Sequence, residues 1–560
     1  MLDRNVTVNF WPEFGADPHN LVSRRILLCK QIFLASAIVL ATNLLLAGSA
    51  AAQCSATGPD IVCTDGGAVC GVVDGKTLAF KGIPYAMPPV GAARWQPPRE
   101  DVRWEGVRDG SQFGPECPQL AADNKLVGAE DCLSLNVWRP REIPAQPLPV
   151  MVWLTGGGNH QLSGKGSANF GGVSYDGETL VERANVVYVS YNLRLGALGF
   201  LAHPALDAES PDRVSGNYGS RDQIAMLRWL KRNIAAFGGD PRRIFLFGTS
   251  AGGGNICALM TAPAARELFH AAAMQSSVPT GCEIPTLADM EKTTGARVVT
   301  ALGCDSTSDV AACLRGKSVE EVVRAVPGTF GVFPRIYGPN VDGKVFTDQP
   351  LKLIAARRHQ AMPIIIGNTS LETMGWVNAA GPVTDAASYA VAVEKVFGAV
   401  HRDAIIQRYP PSDYGGPRQA LVQLTTDAQF TCQTRRVART LLAAQREPVY
   451  VYFFDHALEN DPAQKALGAT HTVEHPFFFG WRGKYRPTDA EREMQRKMIA
   501  YWSGMAREGR PVSGPGPEWP AYTREGEAYV EISPRTAIKA SLRRELCDFW
   551  DKIPLTWPHL

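Results

Sequence analysis

The sequence lacks an excess of one charge and has no long charged segment. Its 560 residues include 57 lysines and arginines and 55 aspartates and glutamates, for a net charge of +2. Nucleic-acid-binding proteins usually carry a basic patch or stripe, so no nucleic-acid partner is expected. Internal repeats and low-complexity segments are also missing, which excludes collagen-like repeats and long disordered regions.

C-x-x-C pairs and apolar runs long enough to span a bilayer are also absent. Without C-x-x-C, a structural zinc site is not expected. Of the twelve cysteines, Cys29 lies in the N-terminal segment described next, and the other eleven are expected to form disulfides in an exported protein, with at least one thiol left free because their number is odd. Near the start, Arg24, Arg25 and Lys30 precede a short apolar run at 32–47, which is followed by alanines at 50–52. This order is typical of an export signal. Residues 1–52 are therefore predicted to be that signal, and the mature protein is predicted to be periplasmic or secreted without a stable membrane anchor.

Short apolar runs alternate with amphipathic segments along the rest of the chain. Hydrophobic residues make up 45% of the sequence, as in globular proteins with a large core. The runs that predict buried strands lie at 150–154, 186–189, 244–247 and 364–366. Buried strands separated by helical patterns, such as the one at 222–237, predict an α/β fold with one large sheet. Residues 285–450 are predicted to be mostly helical and to form insertions above that sheet.

The most specific motif is Gly248-Thr249-Ser250-Ala251-Gly252, which directly follows the run at 244–247. Between a strand and a helix, G-x-S-x-G places a nucleophilic serine on a tight turn. The N-terminus of the helix directs free N–H groups at the site where an oxyanion would form. The alternative is a glycine-rich loop with an incidental serine.

A second glycine cluster, Gly156-Gly157-Gly158, follows the run that ends at Leu154. Consecutive glycines let backbone N–H groups approach a ligand closely, as in an oxyanion hole. A plain turn is the alternative interpretation. A phosphate-binding loop does not fit, because Lys165 is followed by glycine instead of serine or threonine.

Together with several other segments, these motifs resemble the type-B carboxylesterase family, which includes cholinesterases, bile-salt-activated lipases, bacterial para-nitrobenzyl-esterase-like carboxylesterases and the non-catalytic neuroligins. The matching segments are FKGIPYA at 80–86, EDCLSLNV at 130–137, NLRLG at 192–196, GNYG at 216–219 and FGGDP at 237–241. The resemblance implies an α/β-hydrolase fold: a large, mixed, mostly parallel sheet flanked by helices, with helical insertions over the active site. Length alone predicts three or four domains, whereas the resemblance implies a single domain over residues 53–560.

The resemblance also implies a catalytic triad of Ser250, Glu372 and His471. Their order along the chain is the one found in α/β-hydrolases. His471 would take the serine proton and return it to the leaving group, while Glu372 would orient and stabilise the imidazolium. The sequence departs from the family at Leu371, where an aspartate is usual, and at Thr472, where a glycine is usual.

The remaining site residues come from the same resemblance. The expected oxyanion donors are the backbone N–H groups of Gly157, Gly158 and Ala251. The expected pocket residues are Asn159 and His160, which would make one wall polar, and Trp376, which would make another wall aromatic. Two structural ion pairs, Arg94–Glu130 and Arg194–Asp222, are implied as well. No cofactor is required.

A zinc-peptidase pattern, H-x-x-E-H, also occurs at 471–475. That chemistry needs both histidines on one helical face, and Pro476 disfavours a helix at His475. No metal is therefore expected, and His475 is predicted to be a packed or surface residue.

Family resemblance implies the disulfides Cys117–Cys132, Cys304–Cys313 and Cys432–Cys547. A fourth, Cys63–Cys70, is predicted because a two-residue turn at Gly66-Gly67 would place the two sulfurs opposite each other in a hairpin. Cys257 and Cys282 are left open, since Cys257 lies on a predicted helix where it would either pair or be buried. Cys54 is unassigned.

The function that these observations favour is a serine carboxylic-ester hydrolase that forms an acyl-enzyme intermediate with small to medium uncharged esters. Cholinesterases carry a cation-binding tryptophan in the loop closed by the first disulfide, and no aromatic residue lies between Cys117 and Cys132. The alternatives are a lipase or another specialised ester hydrolase, and a non-catalytic, neuroligin-like binding protein. A non-catalytic relative would be expected to lack one or more triad residues, and all three are present.

Overall fold

The computed structural model describes residues 58–167, 173–277, 282–329, 336–481 and 483–553. Eleven of the strands in these residues form one sheet, in the order β18-β17-β16-β15-β14-β13-β9-β12-β8-β4-β3. The strands are β1 (Ile61–Thr64), β2 (Gly67–Cys70), β3 (Val72–Asp74), β4 (Thr77–Pro84), β5 (Val107–Asp109), β6 (Gln119–Leu120), β7 (Leu126–Val127), β8 (Ser134–Pro140), β9 (Leu148–Leu154), β10 (Gly166–Ser167), β11 (Val173–Ser174), β12 (Val187–Tyr191), β13 (Gly239–Thr249), β14 (Ala271–Gln275), β15 (Ile364–Thr369), β16 (Val449–Phe454), β17 (Ala528–Ile532) and β18 (Ala537–Ala540).

The middle of the large sheet is parallel and its two ends are antiparallel. Neighbouring strands from β12 to β17 in the sheet order run parallel. At one end β8, β4 and β3 pair antiparallel with their neighbours, and at the other end β18 pairs antiparallel with β17. The four runs predicted as buried strands form β9, β12, β13 and β15. The predicted large, mixed, mostly parallel sheet is confirmed.

Both faces of the central strands are buried, which explains their continuous apolar sequences. In β9, Val150, Val152 and Leu154 join one buried cluster, whereas Met151 and Trp153 join a second cluster on the opposite face. Strand β13 divides its side chains between the same two clusters. Because successive side chains of a strand point to opposite faces, an apolar residue is needed at every position.

Helices cover this sheet on both sides. They are α1 (Glu178–Ala184), α2 (Gly196–Phe200), α3 (Pro204–Glu209), α4 (Tyr218–Asn233), α5 (Ala251–Leu259), α6 (Leu287–Met290), α7 (Ala296–Ala301), α8 (Val310–Gly316), α9 (Val319–Ala325), α10 (Pro350–Ala355), α11 (Ala386–Phe397), α12 (Arg402–Arg408), α13 (Pro417–Thr426), α14 (Cys432–Ala444), α15 (Pro462–Leu467), α16 (Pro476–Phe479), α17 (Asp489–Glu508) and α18 (Arg544–Trp550). Five-residue π-helical segments join α6 to α7 and α13 to α14. Most of residues 285–450 is helical, as predicted, but the segment is not only an insertion above the sheet, because β15 within it is a strand of the central sheet.

The register of the first hairpin, β1–β2, differs from the prediction. Its turn lies at Asp65-Gly66, so that Cys63 faces Ala68 and Cys70 faces Ile61. Tertiary contacts select this turn, because the Asp65 carboxylate accepts hydrogen bonds from Asn233 at 2.8 Å and from Arg232 at 2.7 Å. The expectation that the two sulfurs lie opposite each other is wrong. Both cysteines are disulfide-bonded, but the reason for pairing them with each other is lost, and that pairing stays a prediction.

Four further disulfides join pairs of described residues. The Cα–Cα distances are 5.1 Å for Cys117–Cys132, 5.7 Å for Cys304–Cys313 and 4.9 Å for Cys432–Cys547, which confirms the three pairings implied by family resemblance. Cys257 pairs with Cys282 at 5.6 Å, which resolves the alternative left open by the sequence. Disulfides persist in oxidising compartments, so the bonds indicate an exported protein. The proposed export signal at 1–52 and Cys54 lie outside the described residues.

Two ion pairs, one partly and one fully buried, join separate segments beside the sheet. Arg94 binds Glu130 through two bonds of 2.7 and 2.8 Å, and Arg194 binds Asp222 through bonds of 2.7 and 2.9 Å. Both pairs are the ones that the resemblance implies. In the described part of the chain, no helix has the length and apolar character needed to cross a membrane.

Candidate active site

Ser250 lies on the turn between β13 and α5 in a conformation that L-amino acids rarely adopt. Its φ is 62° and its ψ is −123°, and its N–H donates a 2.9 Å hydrogen bond to the carbonyl of Gln275 at the end of the neighbouring strand. Thr249 and Ala251 are fully buried, whereas Ser250 is partly exposed. The turn therefore presents the serine side chain and hides its neighbours, as the G-x-S-x-G motif predicts.

Close packing explains why the G-x-S-x-G motif needs a glycine two residues after the serine. A Cβ atom added at Gly252 would lie 2.1 Å from the carbonyl oxygen of Leu154, at the end of β9. A Cβ atom added at Gly156 would lie 3.1 Å from the Cβ of Ser250. The loop after β9 and the serine turn are therefore in direct contact at the carboxyl ends of two adjacent parallel strands.

The loop after β9 contains three consecutive left-handed residues. The φ angles of Gly157, Gly158 and Asn159 are 73°, 60° and 61°. Asparagine is one of the few residues other than glycine that visit this region routinely. The loop then turns back on itself, with the N–H groups of His160 and Gln161 both donating to the carbonyl of Gly157 at 3.0 Å.

Glu372 and His471 are hydrogen-bonded to each other, and the adjacent residues Gln275 and Ser276 connect the pair to the serine turn. A carboxylate oxygen of the fully buried Glu372 is hydrogen-bonded to Nδ1 of His471, which is itself buried. The other carboxylate oxygen accepts hydrogen bonds from the Ser276 hydroxyl at 2.6 Å and from the N–H of Thr369 at 2.7 Å. With both carboxylate oxygens bonded, the imidazole has a fixed orientation.

The acid and histidine loops run side by side. The N–H of Leu371 donates to the carbonyl of Ala469 at 3.0 Å, and the N–H of His471 donates to the carbonyl of Glu372 at 3.3 Å. Thr472 has a φ of 71°, which is strained for a β-branched residue. The position that usually holds glycine in the family therefore keeps a left-handed conformation in this chain.

Two aromatic rings from the segment 285–450 pack on the imidazole of His471. The Trp376 ring meets it at a centroid distance of 4.7 Å and an angle of 69°, and the Phe430 ring at 5.7 Å and 54°. Among the described residues, no hydrogen bond joins His471 to the Ser250 hydroxyl. In free enzymes this bond is often long and tightens when the substrate binds.

Asn159 and His160 are more buried than a pocket wall requires. Only 2% of Asn159 and 9% of His160 is exposed. The Asn159 amide binds Asn255 and the carbonyl of Tyr337, at 2.9 and 3.4 Å. The His160 ring donates from Nδ1 to the carbonyl of Gly158 at 3.2 Å, and burial lowers its pKa to about 4. Both side chains thus bind the protein, and their role as pocket residues stays a prediction.

Two further titratable residues, Glu474 and His475, are buried near Glu372 and His471. Burial, aided by the nearby charge of Glu372, raises the pKa of Glu474 to about 8, and burial lowers the pKa of His475 to about 3. His475 is packed, as predicted, with its ring 5.2 Å from that of Trp153 and 5.7 Å from that of Tyr175. In the described ranges, no group of three histidine, cysteine or acidic side chains is arranged to hold a metal ion.

Replacing His475 with leucine is expected to reduce the acid sensitivity of the fold. Neither ring nitrogen of His475 has a hydrogen-bond partner among the described residues. An unfolded histidine binds a proton near pH 6.5, whereas the folded one does so only near pH 3. The unfolded state therefore binds more protons between these values, and stability falls as the pH decreases through that window. The leucine variant should be at least as stable as the wild type at pH 7 and clearly more stable at pH 5.

Urea unfolding of both proteins at pH 7 and pH 5 measures this difference. A His475→Phe variant keeps an aromatic ring among Trp153 and Tyr175 and controls for lost ring contacts. Equal losses of unfolding free energy between the two pH values in the wild type and in both variants would contradict the buried, neutral state of His475.

Three residues of this region were not predicted from the sequence: Ser276, Phe430 and Asn255. Ser276 follows β14 directly, so a polar residue at the carboxyl end of a strand adjacent to β13 was an available signal. Phe430 lies in the π-helical segment Asp427–Thr431, which has no clear sequence signature. Asn255 lies inside α5, where its side chain would be taken for a core position.

The sheet order, the serine on a strained strand–turn–helix connection and the carboxylate–histidine pair at the carboxyl ends of later strands define an α/β-hydrolase. A sequence model described as "Carboxylesterase family" matches residues 59–550. The chain belongs to the carboxylesterase family.

Individual relatives are esterases of several kinds. The chain is 33% identical over 485 residues to fumonisin B1 esterase of Sphingopyxis macrogoltabida, covering 83% of this chain and 85% of the relative. It is 33% identical over 520 residues to human cocaine esterase, covering 84% and 86%. It is also 30% identical over 518 residues to acetylcholinesterase of Bungarus fasciatus, covering 86% and 83%. Family and relatives identify a carboxylic-ester hydrolase.

Proposed function

We propose that this protein is a serine carboxylic-ester hydrolase with Ser250 as its nucleophile, His471 as its general base and Glu372 as the acidic triad member. The observation that carries the proposal is a strained, partly exposed Ser250 that is linked through Gln275 and Ser276 to a buried, hydrogen-bonded Glu372–His471 pair. Strain of this kind persists where the surroundings enforce it and is concentrated at functional sites. All three triad residues are present, which supports an enzyme over a silent binding protein.

In the proposed reaction, the Ser250 hydroxyl attacks the ester carbonyl while His471 takes its proton through Nε2. Glu372 holds Nδ1–H and stabilises the imidazolium that forms. The tetrahedral intermediate collapses, the C–O bond to the alcohol breaks, and His471 gives its proton to the leaving alcohol. In the second half of the reaction, His471 takes a proton from a water molecule as that water attacks the acyl-serine. His471 then returns the proton to the Ser250 oxygen as the C–O bond to serine breaks, which releases the carboxylic acid and free Ser250.

The negative charge of the tetrahedral intermediate would be stabilised by the N–H groups of Gly157, Gly158 and Ala251. Ala251 is the first residue of α5, and the first N–H groups of a helix have no acceptor within the helix. Gly157 and Gly158 lie in the loop that contacts the serine turn. Such donors are worth most when they are fixed before the charge develops.

The acyl-enzyme intermediate is tested by adding methanol, which competes with water for the acyl group on Ser250. Ethyl, phenyl and p-nitrophenyl esters of butyric acid should all give the same ratio of butyric acid to methyl butyrate, because they share one butyryl-serine. A ratio that changes with the leaving group would contradict a common intermediate.

The lipase alternative is tested with p-nitrophenyl esters of longer acids. A higher kcat/KM for the palmitate ester than for the butyrate ester would favour a lipase.

Uncharged esters are expected to be better substrates than choline esters. The described loop between Cys117 and Cys132 contains the short pair β6–β7 and no aromatic side chain. A cation–π contact of the cholinesterase kind is worth about 0.5–2 kcal/mol, and this loop does not supply it. The kcat/KM for butyrylcholine should therefore not exceed that for its uncharged isostere, 3,3-dimethylbutyl butyrate. A clearly higher kcat/KM for butyrylcholine would show that another part of the chain binds the cation.

The proposed setting is the periplasm or the cell exterior. Residues 1–52 would act as an export signal and residues 53–560 as a single hydrolase domain without a stable membrane anchor. The disulfides described above support this setting.

A further inference from the structure

One amide pair joins the loop after β9 to the helix that follows Ser250. The Asn255 side chain donates from Nδ2 to Oδ1 of Asn159 at 2.9 Å. Both side chains are buried, with 1% of Asn255 and 2% of Asn159 exposed. A buried amide pair of this kind is held more firmly than an exposed one, because water does not compete for it.

Asn255 lies on the same face of α5 as Ala251. The two residues are four positions apart, which is about one helical turn. In a helix, the side chain covers the turn on the N-terminal side of its own Cα, so the Asn255 amide extends toward the start of α5. Its bond to Asn159 therefore ties the N-terminal turn of α5 to the residue directly after Gly158.

The bond from Asn255 anchors a residue whose backbone is left-handed. Its φ is 61°, and a side chain with a Cβ atom adopts this region at a cost in free energy. A second bond, from its Nδ2 to the carbonyl of Tyr337 at 3.4 Å, is longer. The Asn255 bond is the shorter of the two and the one that comes from the helix that follows Ser250.

We propose that Asn255 is a positioning residue that sets the distance between two groups of oxyanion donors, the N–H groups of Gly157 and Gly158 on the loop and that of Ala251 on α5. The inference rests on the proposed function, which assigns those donors. Oxyanion donors act on the charge of the transition state and contribute little to ground-state binding. Loss of the amide pair should therefore lower kcat and leave KM nearly unchanged.

Two substitutions remove the donor while keeping the size of the side chain, Asn255→Leu and Asn255→Asp. Removal of one oxyanion donor costs about 10²–10³-fold in kcat; a displaced donor should cost less, on the order of tenfold, with KM within about threefold of the wild type. Inhibition by a trifluoromethyl ketone, which forms a tetrahedral adduct, should weaken in proportion to kcat/KM. The matched control is Gln223→Leu on α4, which removes a buried amide that donates a 3.0 Å hydrogen bond to the hydroxyl of Tyr191 on β12.

A double-mutant cycle separates positioning from a general loss of packing. Asn159→Gly permits the left-handed backbone but removes the amide that Asn255 holds, so Asn159→Gly/Asn255→Leu should be no slower than the slower of its two parents. The proposal is overturned if folded Asn255 variants keep kcat within twofold of the wild type, or if Gln223→Leu loses as much kcat. The proposal is also overturned if the fold-loss of kcat in the double variant equals the product of the fold-losses in the two single variants. Failure of the proposed function would differ, because the wild type itself would then have no Ser250-dependent esterase activity.

Discussion

Replacing Ser250 with alanine is expected to lower kcat/KM for p-nitrophenyl butyrate by about 10⁴-fold or more without loss of the fold. The substitution removes one oxygen atom at a partly exposed position, and the backbone bond from residue 250 to the carbonyl of Gln275 remains available. The lost atom is the one that forms the acyl bond in the proposed mechanism. Steady-state rates, with circular dichroism to check folding, measure the effect.

A matched control is Ser277→Ala. Ser277 is a buried serine just beyond β14, at the same edge of the sheet, and its hydroxyl has no hydrogen-bond partner among the described residues. This variant should keep activity close to that of the wild type. Activity that survives Ser250→Ala would contradict the nucleophile assignment.

Glu372→Gln is expected to lower kcat by about 10³–10⁴-fold. The glutamine oxygen can keep the bonds from the Ser276 hydroxyl and the Thr369 N–H, at 2.6 and 2.7 Å in the wild type. The amide nitrogen then faces Nδ1 of His471 as a donor. The donor amide favours the His471 tautomer that carries its proton on Nε2, and in that tautomer Nε2 cannot accept the serine proton. The substitution also removes the negative charge that stabilises the imidazolium.

Ser276→Ala provides the comparison for that variant. It removes one donor to Glu372 but leaves the carboxylate and its bond to His471, so a loss of about tenfold or less is expected. A Glu372→Gln enzyme that keeps kcat within tenfold of the wild type would contradict the role given to the acid.

The central sheet could be predicted from the sequence because its strands carry an unmistakable pattern. Both faces of β9 and of the 244–247 part of β13 are buried, so each carries a continuous apolar run followed by a glycine-containing turn. The N-terminal hairpin was less predictable. Asp65-Gly66 and Gly66-Gly67 are both suitable two-residue turns, and the choice depends on Arg232 and Asn233, about 170 positions away along the chain.

The candidate site also contains residues that the sequence could predict and residues that it could not. Ser250, the glycine loop and the likeness of the acid and histidine segments to those of known esterases are local sequence features. Ser276, Phe430 and Asn255 contact the site only through the folded arrangement of separate segments, since Phe430 reaches His471 from 41 positions away and Ser276 reaches Glu372 from 96. The Cys257–Cys282 bond likewise depends on how α5 lies against the segment at 282, which spacing alone does not fix.

The most direct test of the central claim is the location of a covalent organophosphate adduct. The wild type is treated with diethyl p-nitrophenyl phosphate, and its proteolytic peptides are mapped by mass spectrometry. We expect a single diethylphosphoryl group on Ser250, with activity lost in proportion to labelling and no labelling in Ser250→Ala. An adduct on another residue that accounts for the lost activity, or full inactivation with Ser250 unmodified, would contradict the assignment of Ser250 as the nucleophile of this esterase.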